Sequence, residues 1–368
     1  MKKNSAVPAV FCVMTALLAG SCGARKTDPA VEAVTVRLLT DATGIDDKSF
    51  NAAAWRGILE FYGDTWDNAA RRGKNYDVIA IPSEDMYTSI IRQVTEEGCG
   101  LIVATGFTFT GPLETVAAEN PDQHYMIIDV DTIGLPNVLQ AVYAEHEGSY
   151  LVGAAAALKA KADGIPNPGF GFIGAVPGAV ITKFEVGYVQ GILSVIPGAR
   201  IVDTYFDNWG APALAKSQAK DWFDDGIYAV YSASGENGLG TIAQAKEYRS
   251  EGKNVWAVGS DLDQYEEGLY GEKDSAVLTS MLKRIETSLV YALNAEKNGT
   301  FKGEVITFDV EADGVGYSAS NPALTADIKN SLETMRKQII SGEIKIASTY
   351  AEAKRIYGFP PYLKALDN

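Results

Sequence analysis

Cysteine and histidine are scarce in this sequence, and their scarcity excludes two kinds of site. The 368 residues include three cysteines and two histidines. Cys12 and Cys22 lie in an N-terminal segment with the features of a secretion signal, so Cys99 is left without a cysteine to form an intrachain disulfide. Together with His124 and His146, it makes too small a ligand set for a zinc site. We therefore expect no disulfide, no metal and no cofactor.

Positive charge is also in short supply. The sequence has 32 lysines and arginines against 47 aspartates and glutamates, which gives a formal net charge of -15. Nucleic acids and anionic membrane surfaces bind basic patches, so we expect neither as an electrostatic partner. Catalytic motifs are missing as well, since the chain has no G-x-S-x-G elbow, no Walker A lysine and no H-E-x-x-H. A binding protein is therefore expected rather than an enzyme.

The N-terminus carries an apolar run whose pattern predicts export. Ala6–Leu18 follows two lysines and is too short to span a bilayer as a stable helix. Small residues then lead to Cys22, as in a bacterial lipobox, where the cysteine is lipidated and becomes the mature N-terminus. Ordinary cleavage beside an incidental cysteine is the alternative, because Ala19 stands where the lipobox usually has leucine. We expect a signal peptide over residues 1–21, lipidation of Cys22, and a tether over residues 22–33.

The rest of the chain alternates strand-like and helical patterns. Short, nearly continuous apolar runs are typical of strands that are buried on both faces of a parallel sheet. Helical patterns separate these runs, and the alternation predicts a doubly wound α/β sheet. The pattern restarts after residue 143, and the chain is longer than one hydrophobic core usually holds, so we predict two lobes. The strand-like runs are residues 34–40, 76–82, 100–106, 124–130 and 137–143, and then 169–176, 199–206, 226–233 and 254–261.

The C-terminal part of the chain must add elements to both lobes. It contains further strand-like runs and a long amphipathic helical pattern over residues 324–340. This arrangement predicts crossovers near Tyr143, Asp261 and Asp309, with the lobes joined by more than one connection. The N-terminal lobe then comprises residues 34–143 and 261–308, and the C-terminal lobe residues 144–260 and 309–368.

Polar or aromatic residues follow several of the predicted strands. Ligands of parallel α/β sheets bind at the carboxyl ends of the strands. Each such residue alone is more often a turn residue or a helix cap, but residues of this kind from two lobes together predict a cleft. They are Asp41, Phe107, Asp129, Asp131, Ser234, Gly235, Asp261 and Asp263.

The segment from Thr40 to Gly57 is the most informative of these strand ends. Ser49 can cap the helix that follows, which places Phe50 and Asn51 in its first turn, near the positive end of the helix dipole. An aromatic ring can stack on a heterocycle, and a carboxamide beside it supplies both a donor and an acceptor. The alternative is that Phe50 packs inward as a hydrophobic staple.

Two glycine motifs occur in different contexts. Residues 169–174, GFGFIG, match G-x-G-x-x-G, but they lie within a strand-like run, so we do not interpret them as a dinucleotide-binding fingerprint. Residues 235–240, GENGLG, follow a strand and precede a helix, so their backbone amides could meet a polar ligand group. A tight turn is the alternative reading for Gly235.

Six stretches of the chain, in order, resemble the basic membrane protein family of bacterial lipoproteins, of the purine nucleoside receptor type, which feed an ABC transporter. The resemblance implies a type I periplasmic-binding-protein fold, with two doubly wound parallel-sheet lobes and a hinge of several crossovers. It also implies a purine nucleoside ligand, a permease partner and a lipid-anchored monomer that faces the periplasm or the exterior. The stretches are residues 44–55, 145–158, 169–191, 231–241, 255–264 and 278–283.

The resemblance implies that the base lies between aromatic rings and that carboxylates and a lysine hold the ribose. Phe50 and Asn51 match base contacts of the family, as does Asp41 upstream of them. The second aromatic ring is expected at Tyr231, where relatives tend to have phenylalanine.

The resemblance also implies which residues contact the sugar. Asp261 and Lys283 match the pair that binds the ribose, and Asp129 and Gly235 match two further ligand contacts. Family members often carry AGG where this chain has SASGEN, which adds the charge of Glu236 near the site.

The expected function is capture of a purine nucleoside, such as guanosine, adenosine or inosine, and its delivery to a permease. Two alternatives stay open at this point. One is a type I binding protein for a sugar, an amino acid or an autoinducer, and the other is a nucleoside-processing enzyme such as a hydrolase. Stacking aromatics beside an aspartate–lysine pair favour the nucleoside.

Overall fold

The computed structural model describes residue 31 and residues 33–357. The predicted signal peptide, most of the tether and Cys22 lie outside these residues. Within the described part, no helix combines the length and the apolar character needed to cross a membrane.

The first sheet has six strands, all paired in parallel, in the order β11-β5-β4-β3-β1-β2. Helices cover both of its faces, which is why β3 is buried along its whole length, and the other middle strands at all but one position each, so that they read as nearly continuous apolar runs. The strands are β1 (Val36–Thr40), β2 (Tyr76–Ala80), β3 (Leu101–Thr105), β4 (His124–Ile128), β5 (Val138–Tyr143) and β11 (Val305–Phe308). The helices are α1 (Phe50–Tyr62), α2 (Tyr87–Glu97), α3 (Thr110–Glu119) and α8 (Ile285–Lys297).

The second sheet repeats this design in the order β12-β10-β9-β8-β6-β7, with β12 antiparallel to its neighbour. The sequence expectation of two doubly wound α/β lobes is therefore confirmed. The strands are β6 (Gly169–Gly174), β7 (Arg200–Tyr205), β8 (Ile227–Ala233), β9 (Trp256–Asp261), β10 (Val277–Lys283) and β12 (Val315–Tyr317). The helices are α4 (Glu145–Ala162), α5 (Ala179–Val195), α6 (Pro212–Asp224), α7 (Asn237–Ser250), α9 (Ala326–Ile340) and α10 (Tyr350–Tyr357).

Helices α4 and α5 approach each other very closely because small residues lie at their contact. A Cβ atom on Gly191 would lie 2.0 Å from the carbonyl oxygen of Tyr150, and one on Gly153 would lie 2.2 Å from that of Tyr188. Such distances are far inside van der Waals contact, so only glycine allows this approach. The alanine-rich sequence of α4 is thus an adaptation to packing.

The described chain passes between the lobes at Ala144, at Arg284 and over residues 309–314. The three segments are hydrogen-bonded to one another. The amide of Ala144 donates to the carbonyl of Phe308 at 3.0 Å, and the amide of Arg284 donates to the carbonyl of Gly314 at 2.9 Å. Adjacent segments of this kind form a compact hinge.

The second crossing differs from the predicted one near Asp261. Asp261 ends β9, but β10 pairs with β9 in the same sheet, so the chain stays in the second lobe until Lys283. The connection between these strands contains the 3-10 turn Glu266–Gly268 in place of an α-helix. The sequence therefore placed the second crossing too early. Residues 284–308 are the part of the chain that returns to the first lobe.

Candidate functional site

A cleft lies between the two lobes, at the carboxyl ends of the strands of both sheets. It encloses about 660 Å³ of space between atoms, including its opening to solvent. Residues from both lobes line it, including Asp41, Phe50, Asn51, Asp129, Gly235, Asp261 and Lys283, which are all but one of the residues predicted to bind ligand.

One end of the cleft is built around the Asp41 carboxylate. Its Oδ1 accepts hydrogen bonds from the amide of Thr43 at 3.1 Å, from the hydroxyl of Thr43, and from Nδ2 of Asn51 at 3.0 Å. The Asn51 oxygen accepts from the hydroxyl of Thr105 at 2.7 Å. Asn51 therefore spends its donor and its acceptor inside the protein, and it holds Asp41 in place. The Oδ2 atom of Asp41 is left for a further hydrogen bond.

The cap of α1 explains how Phe50 reaches the cleft. The side chain of Asp47 accepts from the backbone amides of Ser49, Asn51 and Ala52 at 3.1, 2.8 and 2.9 Å. Burial raises the pKa of Asp47 to about 7, although these three donors lower it. Asp47 thus takes the capping role that the sequence suggested for Ser49.

Ser49 is free to reach the other lobe. Its hydroxyl donates to the Oδ2 atom of Asp261, at the end of β9. Beside it, Nε2 of Gln264 donates to the carbonyl oxygen of Lys48 at 2.9 Å. These bonds fasten the start of α1 to the second lobe, so the cleft is narrow at this point.

Lys283 organises a second group of charged residues in the cleft, separate from the contacts of Asp41. Its ammonium nitrogen lies 2.6 and 2.7 Å from the two carboxylate oxygens of Asp129 and 3.0 Å from Oε1 of Glu145. Lys283 makes no direct contact with Asp261, because its ammonium group lies between Asp129 and Glu145, and their joint binding of a ribose stays a prediction. Sequence reasoning did not single out Glu145, although it begins one of the family-like stretches.

Burial and charge act against each other in this cluster. Burial lowers the pKa of Lys283, but the carboxylates around it, Asp129 foremost, raise it above its ordinary value. Burial raises the pKa of Asp129 and of Asp261, and in both cases Lys283 opposes the shift. The lysine is therefore a charged group held inside the protein.

The backbone at the two strand-end aspartates is unusual. Asp129 has φ 69° and Asp261 has φ 66°, both in the left-handed region that side chains other than glycine, asparagine and aspartate rarely adopt. Strain of this kind concentrates at functional sites. It turns both carboxylates toward the cleft directly after their strands end.

Two aromatic rings from different lobes flank the lysine. The ring centre of Phe50 lies 5.1 Å from the Lys283 nitrogen, and that of Phe184 lies 5.5 Å from it. Phe184 is on α5, within a family-like stretch, but no strand-end signal pointed to it. It is one of the second-lobe rings that line the cleft, whereas Tyr231 is not.

Tyr231 lies in the core and not in the cleft. Its side chain is fully buried, its ring centre lies 5.0 Å from that of Tyr188, and its hydroxyl lies 3.3 Å from that of Ser149. The physical reason is its place along the strand, because Tyr231 lies two residues before the end of β8 and packs in the same core cluster as Ala233. The strand reaches the cleft only at Ala233, followed by Gly235.

The mouth of the cleft carries a second pair of rings. Phe107 of the first lobe and Trp209 of the second lobe lie edge to face, with ring centres 6.3 Å apart. Phe107 directly follows β3, as the strand-end rule requires. Trp209 lies in the loop after β7, and the same rule would have identified it.

Comparisons with known proteins agree with this architecture. The family described as "ABC transporter substrate-binding protein PnrA-like" matches residues 33–349. A Lactococcus lactis subsp. cremoris protein named "ABC transporter nucleoside-binding protein BmpA" is 31% identical over 363 residues, covering 94% of this chain and 99% of that protein. A "CD4+ T-cell-stimulating antigen" of Listeria innocua is 28% identical over 358 residues, covering 94% and 98%. A solute-binding protein structure from Aeropyrum pernix K1 has a similar fold, with a TM-score of 0.75, 24% identity, and coverage of 88% and 96%.

Proposed function

The chain belongs to the family of PnrA-like ABC transporter substrate-binding proteins, and from that premise we propose that it captures purine nucleosides for uptake. It is a substrate-binding protein and not an enzyme, with a small-molecule ligand and a permease as its partners. Its two lobes have the type I periplasmic-binding-protein fold, and proteins of the family act outside the cytoplasm. The proposal concerns the ligand, the lipid anchor at Cys22 and the monomeric state.

The observation that carries the proposal is the division of one cleft into two chemically different ends. Asp41 and Asn51 lie at one end, and Asp129, Asp261 and Lys283 lie at the other. Phe50 lies between these two groups. Its Cε1 atom is 3.8 Å from the Cβ position of Gly106, directly after β3, and the centre of its ring is 5.1 Å from the Lys283 nitrogen. A nucleoside has the same division, with a flat heterocycle joined to a ring that bears hydroxyl groups.

The heterocycle would stack on the ring of Phe50, in the first lobe, and would face the aromatic rings that the second lobe contributes to the cleft, Phe184 and Trp209. A base in this position contacts both lobes and favours closure of the cleft. The free oxygen of Asp41 would accept a hydrogen bond from a ring N–H or an exocyclic amino group of the base. Asn51 acts on the base through Asp41, which it orients.

The ribose would occupy the end formed by Asp129, Asp261 and Lys283. A carboxylate accepts hydrogen bonds, so Asp261 suits the vicinal hydroxyls of a ribose. An ammonium group has three donors, and those of Lys283 face both oxygens of Asp129 and one oxygen of Glu145, so a sugar oxygen would take the place of one of these acceptors. The two aspartates and the lysine depend on one another, because a charged side chain is stable in a buried position only while an oppositely charged side chain is present.

Native mass spectrometry of freshly purified protein tests the proposed ligand. The expected result is a mass difference that corresponds to a purine nucleoside, or a complex that forms when guanosine, adenosine or inosine is added to ligand-free protein. Long incubation should return the nucleoside unchanged. A bound sugar or amino acid, with no response to nucleosides, would contradict the proposal.

The proposed lipid anchor and monomeric state have separate support. The N-terminal pattern around Cys22 is the basis for the anchor. The monomer rests on the family resemblance, and native mass spectrometry of the same sample reads the oligomeric state directly. A dimer that persists at nanomolar protein concentration would contradict it.

A further inference from the structure

Gln264 is a buried glutamine that joins the two lobes at a place outside the cleft lining. It lies in the connection between β9 and β10, and it is 2% exposed. Its Nε2 atom donates to the carbonyl oxygen of Lys48 in the first lobe at 2.9 Å, and its Oε1 atom accepts from the amide of Ser260 in its own lobe at 3.1 Å. The residues that line the cleft include neither Gln264 nor Lys48. Both polar atoms of this side-chain amide are therefore used by the protein, away from the proposed ligand.

Contacts within the second lobe hold Gln264 in position. Its backbone amide donates to the hydroxyl oxygen of Ser280 at 3.1 Å. A Cβ atom on Gly259 would lie 2.6 Å from that same oxygen and would overlap the side-chain oxygen of Gln264, so only glycine leaves room here. None of these contacts involves the first lobe. A side chain that its own lobe already fixes loses little conformational entropy when it meets the other lobe.

The bond to Lys48 connects two segments that carry proposed ligand contacts. Lys48 has φ 54° and directly follows Asp47, whose carboxylate caps α1. It therefore fixes the chain two residues before Phe50. On the other side, Gln264 holds the amide of the residue before Asp261, at the end of β9. One side chain thus sets the position of the start of α1 relative to the end of β9.

We propose that Gln264 is a positioning residue that stabilises the closed arrangement of the lobes without contacting the ligand. Ligand-free protein would spend part of its time closed through this bond, and a bound ligand would leave only after the bond to Lys48 breaks. Loss of the bond should speed the release of different ligands by the same factor, so their ranking by affinity should not change. The choice of nucleosides as probes rests on the proposed function, whereas the closure itself does not.

Dissociation rates of guanosine and adenosine, measured by stopped flow, test the role of Gln264. Gln264→Met keeps the length of the side chain and removes both hydrogen bonds of its amide. Gln264→Glu keeps an oxygen for the Ser260 amide, but at alkaline pH its carboxylate brings no donor to Lys48. Both variants should release both nucleosides about 2- to 12-fold faster than wild-type protein, the range expected for the loss of one hydrogen bond. Gln264→Glu also covers the case in which Gln264→Met is poorly folded.

Ser280→Ala is the matched control. It removes a partner of Gln264 within the second lobe and leaves the bond to Lys48 in place, so release should stay close to the wild-type rate. Unchanged rates in both folded Gln264 variants would overturn the proposal. Faster release of one nucleoside alone would also overturn it, because Gln264 would then act on a particular ligand and not on closure.

Small-angle X-ray scattering gives a readout that a purely stabilising role would not change. Ligand-free Gln264→Met and Gln264→Glu should have a larger radius of gyration than ligand-free wild-type protein, and the difference should disappear when guanosine saturates all three. Equal radii without ligand would contradict closure through Gln264, even if the variants unfold at a lower temperature.

The two measurements separate this inference from the function on which its probes rest. If wild-type protein binds no nucleoside, the proposed function fails, and scattering of the ligand-free proteins still decides the role of Gln264. If nucleosides bind but the ligand-free radii are equal, the role of Gln264 fails while the function stands.

Discussion

Lys283 shows how individual side chains make this site. Its side chain is 1% exposed, and its ammonium group lies between Asp129 of the first lobe and Glu145 at the first crossover. Glu145 is shared, because Lys183 lies 3.2 Å from its second oxygen. Burial raises the pKa of Glu145, but the two lysines bring it below its ordinary value. The charge on Lys283 thus depends on residues from both lobes, which links sugar binding to closure.

The sequence left two roles open for Phe50, which are stacking on a heterocycle and packing against the helix. We expect Phe50→Ala to weaken guanosine binding by about 5- to 150-fold, because stacking a base on an aromatic ring contributes about 1–3 kcal/mol. Calorimetry on the folded variant measures this. Phe61→Ala is the control, since Phe61 is on the same helix and packs against the core outside the cleft. An unchanged affinity in Phe50→Ala would assign the ring to helix packing.

At the scale of helices and strands, the sequence predicted those features that depend on local residue patterns. The apolar runs identified the strands of both sheets, and the strand-end rule located Asp41, Asp129 and Asp261. What it could not predict depends on contacts distant in sequence. Helix α1 is capped by Asp47 in place of Ser49, because Ser49 bonds to Asp261, more than 200 residues away in sequence.

Strand β8 shows the limit of transferring residues from a resemblance. The match at Tyr231 identified the strand, but Tyr231 lies two residues before its end, where side chains still pack in the core. The cleft begins only at Ala233. The boundary at Asp261 failed for a related reason, because pairing of β10 with β9 is a property of the sheet as a whole.

Helix α5 also buries an ionisable group away from the cleft lining, which gives a pH prediction. Glu185 is fully buried, accepts a hydrogen bond from the hydroxyl of Tyr205 at 2.5 Å, and has its pKa raised to about 8 by burial. The folded state therefore keeps a proton that the unfolded state loses near the ordinary value of 4.5. Stability from this group is present below that value and is lost as the pH rises, by up to about 1.4 kcal/mol per pH unit.

The variant Glu185→Gln carries no such proton. Its free energy of unfolding, relative to that of the wild-type protein, should increase between pH 5 and pH 8, and urea titrations at both values measure the difference. The comparison at pH 5 is the internal control for any packing effect of the substitution. A difference that stays constant across this range would mean that Glu185 is already ionised in the folded protein.

At the scale of the whole molecule, the proposed lipid anchor and the proposed ligand site lie in different parts of the chain. We expect Cys22→Ser to abolish lipid attachment, because a cysteine thiol is the acceptor of the lipid and one acyl chain alone gives only marginal anchoring. Fractionation of cells that express each form, together with the intact mass, measures this. The variant should leave the membrane fraction yet bind guanosine as the wild type does. Processing and membrane retention like those of the wild type would show that Cys22 is not the anchor.

The proposed ligand site should recognise the sugar of a nucleoside as much as its base. A site with buried polar groups rejects a ligand that lacks their partners, since those groups are then left unpaired. Asp261 and Lys283 should therefore make the protein discriminate between a nucleoside and its free base. 2′-Deoxynucleosides should fall between the two. Asp261→Asn is the matched variant, because asparagine has the same shape and tolerates the left-handed backbone at this position.

Calorimetric titration of ligand-free protein with guanosine and with guanine is the most direct test of nucleoside capture. Two hydrogen bonds to charged groups predict that guanosine binds at least about 100-fold more tightly than guanine. Asp261→Asn should lose most of that preference while the fold, followed by circular dichroism, stays intact. A wild-type protein that binds guanine as tightly as guanosine would contradict the roles of Asp261 and Lys283, and with them the proposal that this protein captures nucleosides.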